Sequence, residues 1–225
     1  MARPRGARNH DYEQSRLALL RSLSAALLRP DGSPASLSDL AAAANVSTTT
    51  LKHYFGDRDG VIAAVLSTAR DDAAAYLSAG ATAGARGPER SLPDLLLGTV
   101  VAWQEHGLDR LFTGALALGL GSSVRGPAFL QHLLEPFLQA TEALLAEHEH
   151  RGQLPPSTAA GRRSAALALL APVVLALLHQ DALGGTEVRP LDVRELARAH
   201  AALVLHGLLA PTRLEGHPAP GTTRR

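Results

Sequence analysis

The stretch from Ser36 to Leu66, SLSDLAAAANVSTTTLKHYFGDRDGVIAAVL, constrains this chain more than the remainder of it does. Leu37, Leu40, Ala41 and Ala44 recur at the i, i+3, i+4, i+7 spacing of one helix face. Ser36 precedes that face and Asp39 follows three residues on, the capping-box pattern that starts a helix. Asn45 falls where the chain must reverse, and Asn tolerates left-handed backbone better than most residues. Val46 then supplies an apolar plug, and Ser47 can cap a second helix whose Leu51 and Tyr54 or Phe55 face back toward Val46 and Leu40. Ala41 is small where two such helices must cross closely. The spacing predicts two short helices joined by a tight turn, with a third helix following at once.

A helical hairpin inside a larger core would show the same apolar pattern, so the outward face of the second helix has to decide. Thr48, Thr49, Thr50, Lys52 and His53 are short, polar or basic, and none is a carboxylate. A merely solvated face usually mixes in Glu or Asp; this one suits phosphates and base edges. Lys52 and Arg58 are expected at phosphates and Thr48, Thr49 and His53 nearest the bases, with Ser36, Ser47, Thr50 and Tyr54 completing the DNA-binding set. Ser47 doubles as a helix cap.

These residues resemble the TetR-type transcriptional regulators. LSDLAAAANVS matches that family's positioning helix and turn, TTTLKHYF its recognition helix, and GDRDGVIAAVL the start of its connecting helix. Lys52 stands where Tyr is usual and Arg58 where Lys is usual; both keep a side chain long enough to reach a phosphate. The resemblance implies an all-α chain with an N-terminal helix-turn-helix domain and a C-terminal helical domain that senses a ligand and dimerises. It implies two recognition helices about 34 Å apart, reading an inverted repeat in double-stranded operator DNA.

The rest of the chain is organised accordingly. Ala and Leu dominate and aromatics are only 4%, which favours helices over sheets. Net charge is +1, but Arg3, Arg5, Arg8, Arg16, Arg21 and Arg29 crowd the first thirty residues against Asp11 and Glu13. The expected division is a disordered basic arm at 1–10, a DNA-binding domain at 11–56, a connecting helix at 57–79, a sensing and dimerisation domain at 80–210 and a disordered tail at 211–225. Helices are expected over Tyr12 to Leu28, Asp57 to Ala79, Ser91 to His106, Leu108 to Leu118, Ala128 to His150, Ser157 to Leu183 and Leu191 to Leu209. Pro136 predicts a kink, and Gly119 to Pro127 reads as a loop.

Ala165 to Leu178 is apolar nearly all round, so it either sits at the centre of its domain or packs on a second subunit as well. Leu175 on that helix, with Leu196, His200, Leu203 and Gly207 on the last, forms the expected homodimer seam. Trp103, His106, Phe112, Phe129, His132, Phe137 and His179 are the candidate ligand-lining residues, which suits a largely apolar effector. Glu147-His148-Glu149-His150 reads as a solvated helix end, since neighbouring residues do not share a helix face. There is no cysteine, and no Ser-His-Asp order, Gly-rich phosphate loop or HExxH motif, so no enzyme activity, cofactor or metal is expected. No signal-peptide core opens the chain and the run to Leu178 is short for a bilayer, which points to the cytoplasm without a membrane partner. The reading is a repressor released from its operator by a small apolar ligand. A ligand-independent dimeric DNA-binding protein, and a small-molecule-binding protein with a vestigial helix-turn-helix, are the alternatives.

Overall fold

The computed structural model describes residues 5–29, 33–68, 86–120 and 122–210, and its regular elements are all helical. Helix α1 spans Arg5–Leu23 and closes in a 3-10 turn, Ser24–Ala26. Residues 5–10, expected as a disordered arm, are instead its first turns. No proline follows Pro4 until Pro30, and extending an existing helix costs far less than starting one. At its other end α1 stops short of the expected Leu28, because the chain doubles back there: Ala35 N donates to Leu27 O at 3.1 Å and Arg29 N to Ser33 O at 2.8 Å.

Helices α2 (Leu37–Ala43) and α3 (Thr48–Phe55) follow, and α4 is described over residues 58–68. The remainder of the expected connecting helix and the tail from 211 lie outside the described residues. The C-terminal half comprises α5 (Pro88–Glu105), α6 (Leu108–Gly119), α7 (Arg125–Phe129), α8 (Glu135–His150), α9 (Ala159–Leu177), a short α10 (Gly185–Val188) and α11 (Val193–Leu209). The loop expected from Gly119 to Pro127 is thus shorter, with α7 opening at Arg125. Helix α11 lies along α5 and α9, and α8 packs on α9. Leu92, Leu96, Val100, Leu169, Val173, Leu177 and Ala197 fill the space between them, each fully buried.

Pro136 and Pro172 are accommodated differently. Pro136 has no N–H for the preceding turn, and the helix widens just before it into a π turn, Leu130–Leu134, in which Glu135 N donates to Leu130 O. The expected kink takes this form, joining α7 to α8. Pro172 leaves the carbonyl of Ala168 without its i+4 donor, and His200 on α11 supplies one, Nε2 donating to Ala168 O at 2.7 Å. His200, expected in the dimer seam, therefore has its polar end committed within its own chain. Helix α9 continues through a second π turn, Leu178–Ala182, making a helical stretch of 24 residues whose most apolar 18 residues have a mean hydropathy of 1.7. That is long and apolar enough to cross a bilayer, against the expectation from the shorter run. Its packing beneath α5, α8 and α11 accounts for the apolar composition by burial on one side.

Candidate nucleic-acid interface and effector site

The helix-turn-helix is built as its residues require. Ser36 Oγ accepts from Asp39 N, and Asp39 Oδ2 accepts from Ser36 N at 2.7 Å, closing the capping box. Arg29 adds an ion pair to the same carboxylate oxygen at 2.6 Å. The backbone N–H of Ser36, then its hydroxyl, then Arg29 hold the Asp39 carboxyl down at about 2. Ser36, expected among the DNA contacts, has its hydroxyl committed to Asp39 in both directions. Asn45 takes the left-handed backbone, φ 53°, and Val46 N closes the turn on Ala41 O at 2.9 Å. Leu40, Ala41 and Leu51 are buried at the crossing of α2 and α3. Ser47 caps α3 by accepting from Thr50 N at 3.0 Å, and its hydroxyl meets that of Thr50 at 2.8 Å.

Thr48, Thr49, Lys52 and His53 stand exposed along one side of α3, while Thr50 and Tyr54 are half-buried. Tyr54 stacks on Tyr12 of α1 with ring centroids 4.8 Å apart, and Tyr12 meets His53 edge-on at 6.4 Å. Arg16 lies over the Phe55 ring at 5.7 Å. The first helix thus braces the recognition helix through aromatic side chains, an anchoring that spacing within 36–66 could not reveal.

Arg58 departs from its expected place at a phosphate. Its Nε donates to the Ala35 carbonyl at 2.7 Å, and its Nη2 is buried with no partner among the described residues, so the guanidinium ties α4 to the entry of α2. Beside it Asp57 caps α4 by accepting from Gly60 N at 2.8 Å. A Cβ on Gly60 would stand 2.0 Å from the Phe55 carbonyl oxygen, so the turn from α3 into α4 closes only over a glycine.

In the C-terminal half, Trp103, Phe112 and Phe129 are buried and consecutive in contact: Trp103 to Phe112 at 5.5 Å, Phe112 to Phe129 edge-on at 5.2 Å. Phe137 packs half-buried against the same core. His132 lies in the π turn with its Nδ1 buried and unpartnered, as is Nε1 of Trp103. His106 does not join them; it is exposed at the turn between α5 and α6, where α5 has run out. His179 stands apart in the second π turn, its Nδ1 accepting from Gln180 Nε2 at 2.8 Å. Gln180 in turn lines an open cleft of about 250 Å³ with Gln104, Asp181, Thr186 and Arg194.

The Glu147–His150 tract, expected as a solvated helix end, is packed over most of its length. His148 is completely buried: Nδ1 donates to Gln153 Oε1 at 2.6 Å, which leaves Nε2 to accept from the Ser91 hydroxyl at 2.6 Å. Glu149 pairs with Arg162 at 2.7 Å. Among the described residues no group of three His, Cys, Asp or Glu is placed to hold a metal ion.

The two halves meet at Arg125. Its Nε donates to Leu118 O at 3.1 Å and its Nη1 reaches Asp59 of α4 at 3.3 Å. On α9 and α11, Leu175 and Leu203 are 65% and 71% exposed and Gly207 is exposed too, whereas Leu196 turns inward to the core.

No protein-family model matches the chain, and no curated protein is significantly similar to it. Solved structures are. A TetR transcription regulator from Haloarcula marismortui superposes with a TM-score of 0.66 at 19% identity, over 88% of this chain and 100% of that one. PfmR, a TetR family transcriptional regulator from Thermus thermophilus, gives 0.57 at 22% identity over 87% and 98%. SmeT, the repressor of the Stenotrophomonas maltophilia multidrug efflux pump SmeDEF, gives 0.59 at 17% identity over 93% and 96%. At these identities the likeness speaks to architecture, and with the helix-turn-helix and the helical C-terminal half it establishes that this chain has the fold of the TetR-family transcriptional regulators.

Proposed function

We propose that the protein is a dimeric, sequence-specific DNA-binding regulator, a repressor that leaves its operator when a small, largely apolar molecule enters the C-terminal half. The observation that carries this reading is the exposed, acid-free face of α3. Thr48, Thr49, Lys52 and His53 project together from a helix that capping at Ser47, the Asn45 turn and the Tyr12–Tyr54 stack hold rigidly. Such a face can place Lys52 against a phosphate and the short side chains against base edges. The DNA-binding unit is α1 to α3, α4 is the joint, and α5 to α11 form the sensing and dimerising unit. Nothing in the reading calls for catalysis, a cofactor or a membrane, and a regulator of DNA acts in the cytoplasm.

Dimerisation rests on α9 and α11. Packed side by side, they present Leu167, Ala168, Ala171 and Leu175 on one and Ala199, Leu203 and Gly207 on the other to solvent. A second copy related by a two-fold axis would cover this stripe with its own pair, and the small residues allow close approach. Release would then be a population shift: a ligand that prefers one arrangement of the sensing unit moves α4, and with it the separation of the paired recognition helices.

Fluorescence anisotropy with DNA flanking the gene tests the reading. A specific site should bind about a thousandfold or more above random duplex at matched salt. Equal affinity for both duplexes would remove the regulatory function.

A further inference from the structure

Two buried hydrogen-bonding atoms in the sensing unit, Nε1 of Trp103 and Nδ1 of His132, have no partner among the described residues. Native interiors satisfy nearly all such groups, because a donor stripped of water and left unpaired is costly. Trp103 is 1% exposed, so ordinary solvent does not serve its indole. The two residues belong to one cluster. Trp103 packs on Phe112, Phe112 on Phe129, and His132 follows Phe129 by one turn of the same helical stretch. That turn is the π turn Leu130–Leu134, and such bulges recur at functional sites.

Resting on the reading of this chain as an effector-responsive regulator, we propose that Trp103 and His132 are the polar recognition groups of the effector site. The effector is an apolar-bodied molecule bearing a hydrogen-bond acceptor, a carbonyl or carboxylate, and it is not a cationic amine. The indole N–H only donates, so whatever meets it must accept. Imidazole Nδ1 can carry a proton and donate to a second lone pair of the same head group. Phe112, Phe129 and the fully buried Leu133 provide apolar walls for the rest. An ammonium group offers donors alone, would leave Trp103 unmatched, and would need a carboxylate. The nearest acids along the chain are already paired, Glu105 with Arg194 at 3.2 Å and Glu135 with Arg163 at 2.6 Å.

Octanoate, octan-2-one and octylamine, equal in apolar length and different in head group, test this on the intact protein by calorimetry and by the fluorescence of its single tryptophan. The acid and the ketone should bind and alter Trp103 emission, with octylamine at least about tenfold weaker. Calorimetry on Trp103→Phe should show the ketone weakened by about tenfold, and His132→Phe should weaken the acid similarly, amounts that one lost hydrogen bond in a dry site accounts for. The comparison of probes on the wild-type chain needs no variant to fold. Octylamine binding as well as octanoate, variants that bind every probe like wild type, or no binding of any probe to wild type would each overturn the assignment. Anisotropy with the flanking DNA runs alongside. Specific DNA binding without head-group discrimination defeats the effector chemistry alone, whereas discrimination without DNA binding defeats the regulatory reading instead.

Discussion

Shortening Leu203 to alanine isolates the proposed dimer seam from the fold, because 71% of that residue already faces solvent in the single chain. Fully burying a leucine side chain is worth about 2 kcal/mol. The exposed share therefore offers roughly 1.4 kcal/mol per copy, and a two-fold interface counts it twice, giving about 3 kcal/mol. That corresponds to roughly a hundredfold weaker dimer. Melting of the single chain should move little, since a surface truncation usually falls within about 0.5 kcal/mol. Leu203→Glu adds a charge with no partner in a dry seam and should leave monomer at micromolar concentration. Sedimentation equilibrium over a wide concentration range reads both, and operator affinity should fall in step. His200→Ala makes the contrast: by leaving Ala168 O open beside Pro172 it should lower the melting temperature of the chain itself. If both Leu203 variants dimerise like wild type, the α9–α11 stripe is not the interface.

Three further outcomes follow from the DNA-binding unit. Lys52→Ala should weaken all DNA about equally and flatten the dependence of log affinity on log salt by about one unit, whereas Thr49→Ala or His53→Ala should change which operator is preferred; titrations at several salt concentrations distinguish them. Gly60→Ala forces a Cβ to within 2.0 Å of the Phe55 carbonyl, so it should destabilise the α3–α4 junction by more than the usual surface change and abolish operator binding, read by thermal melting and anisotropy. Asp39, held down at about 2 from 3.8, contributes stability that is present above its unfolded value and lost as pH falls from about 4 toward 2; Asp39→Asn should flatten the melting temperature across that window.

The DNA-binding unit was legible wherever a residue's role depends on its near neighbours in the chain. Ser36 with Asp39, the Asn45 reversal and the Ser47 cap are local devices, and each lies where the spacing placed it. Roles set by distant partners were not legible. Arg58 found a carbonyl twenty-three residues back, Tyr54 found Tyr12 on another helix, and His148 found Ser91 across the bundle. His200 shows the limit most clearly. Its position on α11 suits a dimer seam, but Pro172 on a different helix creates the vacant acceptor that claims it. Periodicity can mark a helix as apolar; which of two apolar surfaces faces the chain's own core and which a second copy is decided by packing between helices, as Leu196 and Leu203 show on α11.

The same dependence on packing bears on how the two halves communicate. The Arg125–Asp59 pair links α7 to α4, with side chains 30% and 48% exposed, and a pair so placed contributes at most about 1 kcal/mol. Two copies in a dimer reach about 2 kcal/mol, whereas moving a population from 1:99 to 99:1 takes about 5.5 kcal/mol. In the proposed mechanism the ion pair therefore orients α4 and does not supply the switch. Close packing just behind it is the better source. Gly126 sits against Gly119, where a Cβ would come within 3.1 Å of the Gly119 carbonyl, and Arg125 grips Leu118 in the same turn. Close-packed contacts of this kind have discrete arrangements and do not yield by degrees. Arg125→Ala should therefore shift operator affinity or effector midpoint only severalfold, while Gly126→Val, whose Cβ would crowd the Gly119 carbonyl, should impair the effector response far more strongly. A response lost in Arg125→Ala and kept in Gly126→Val would reverse the argument and make the charge pair the switch.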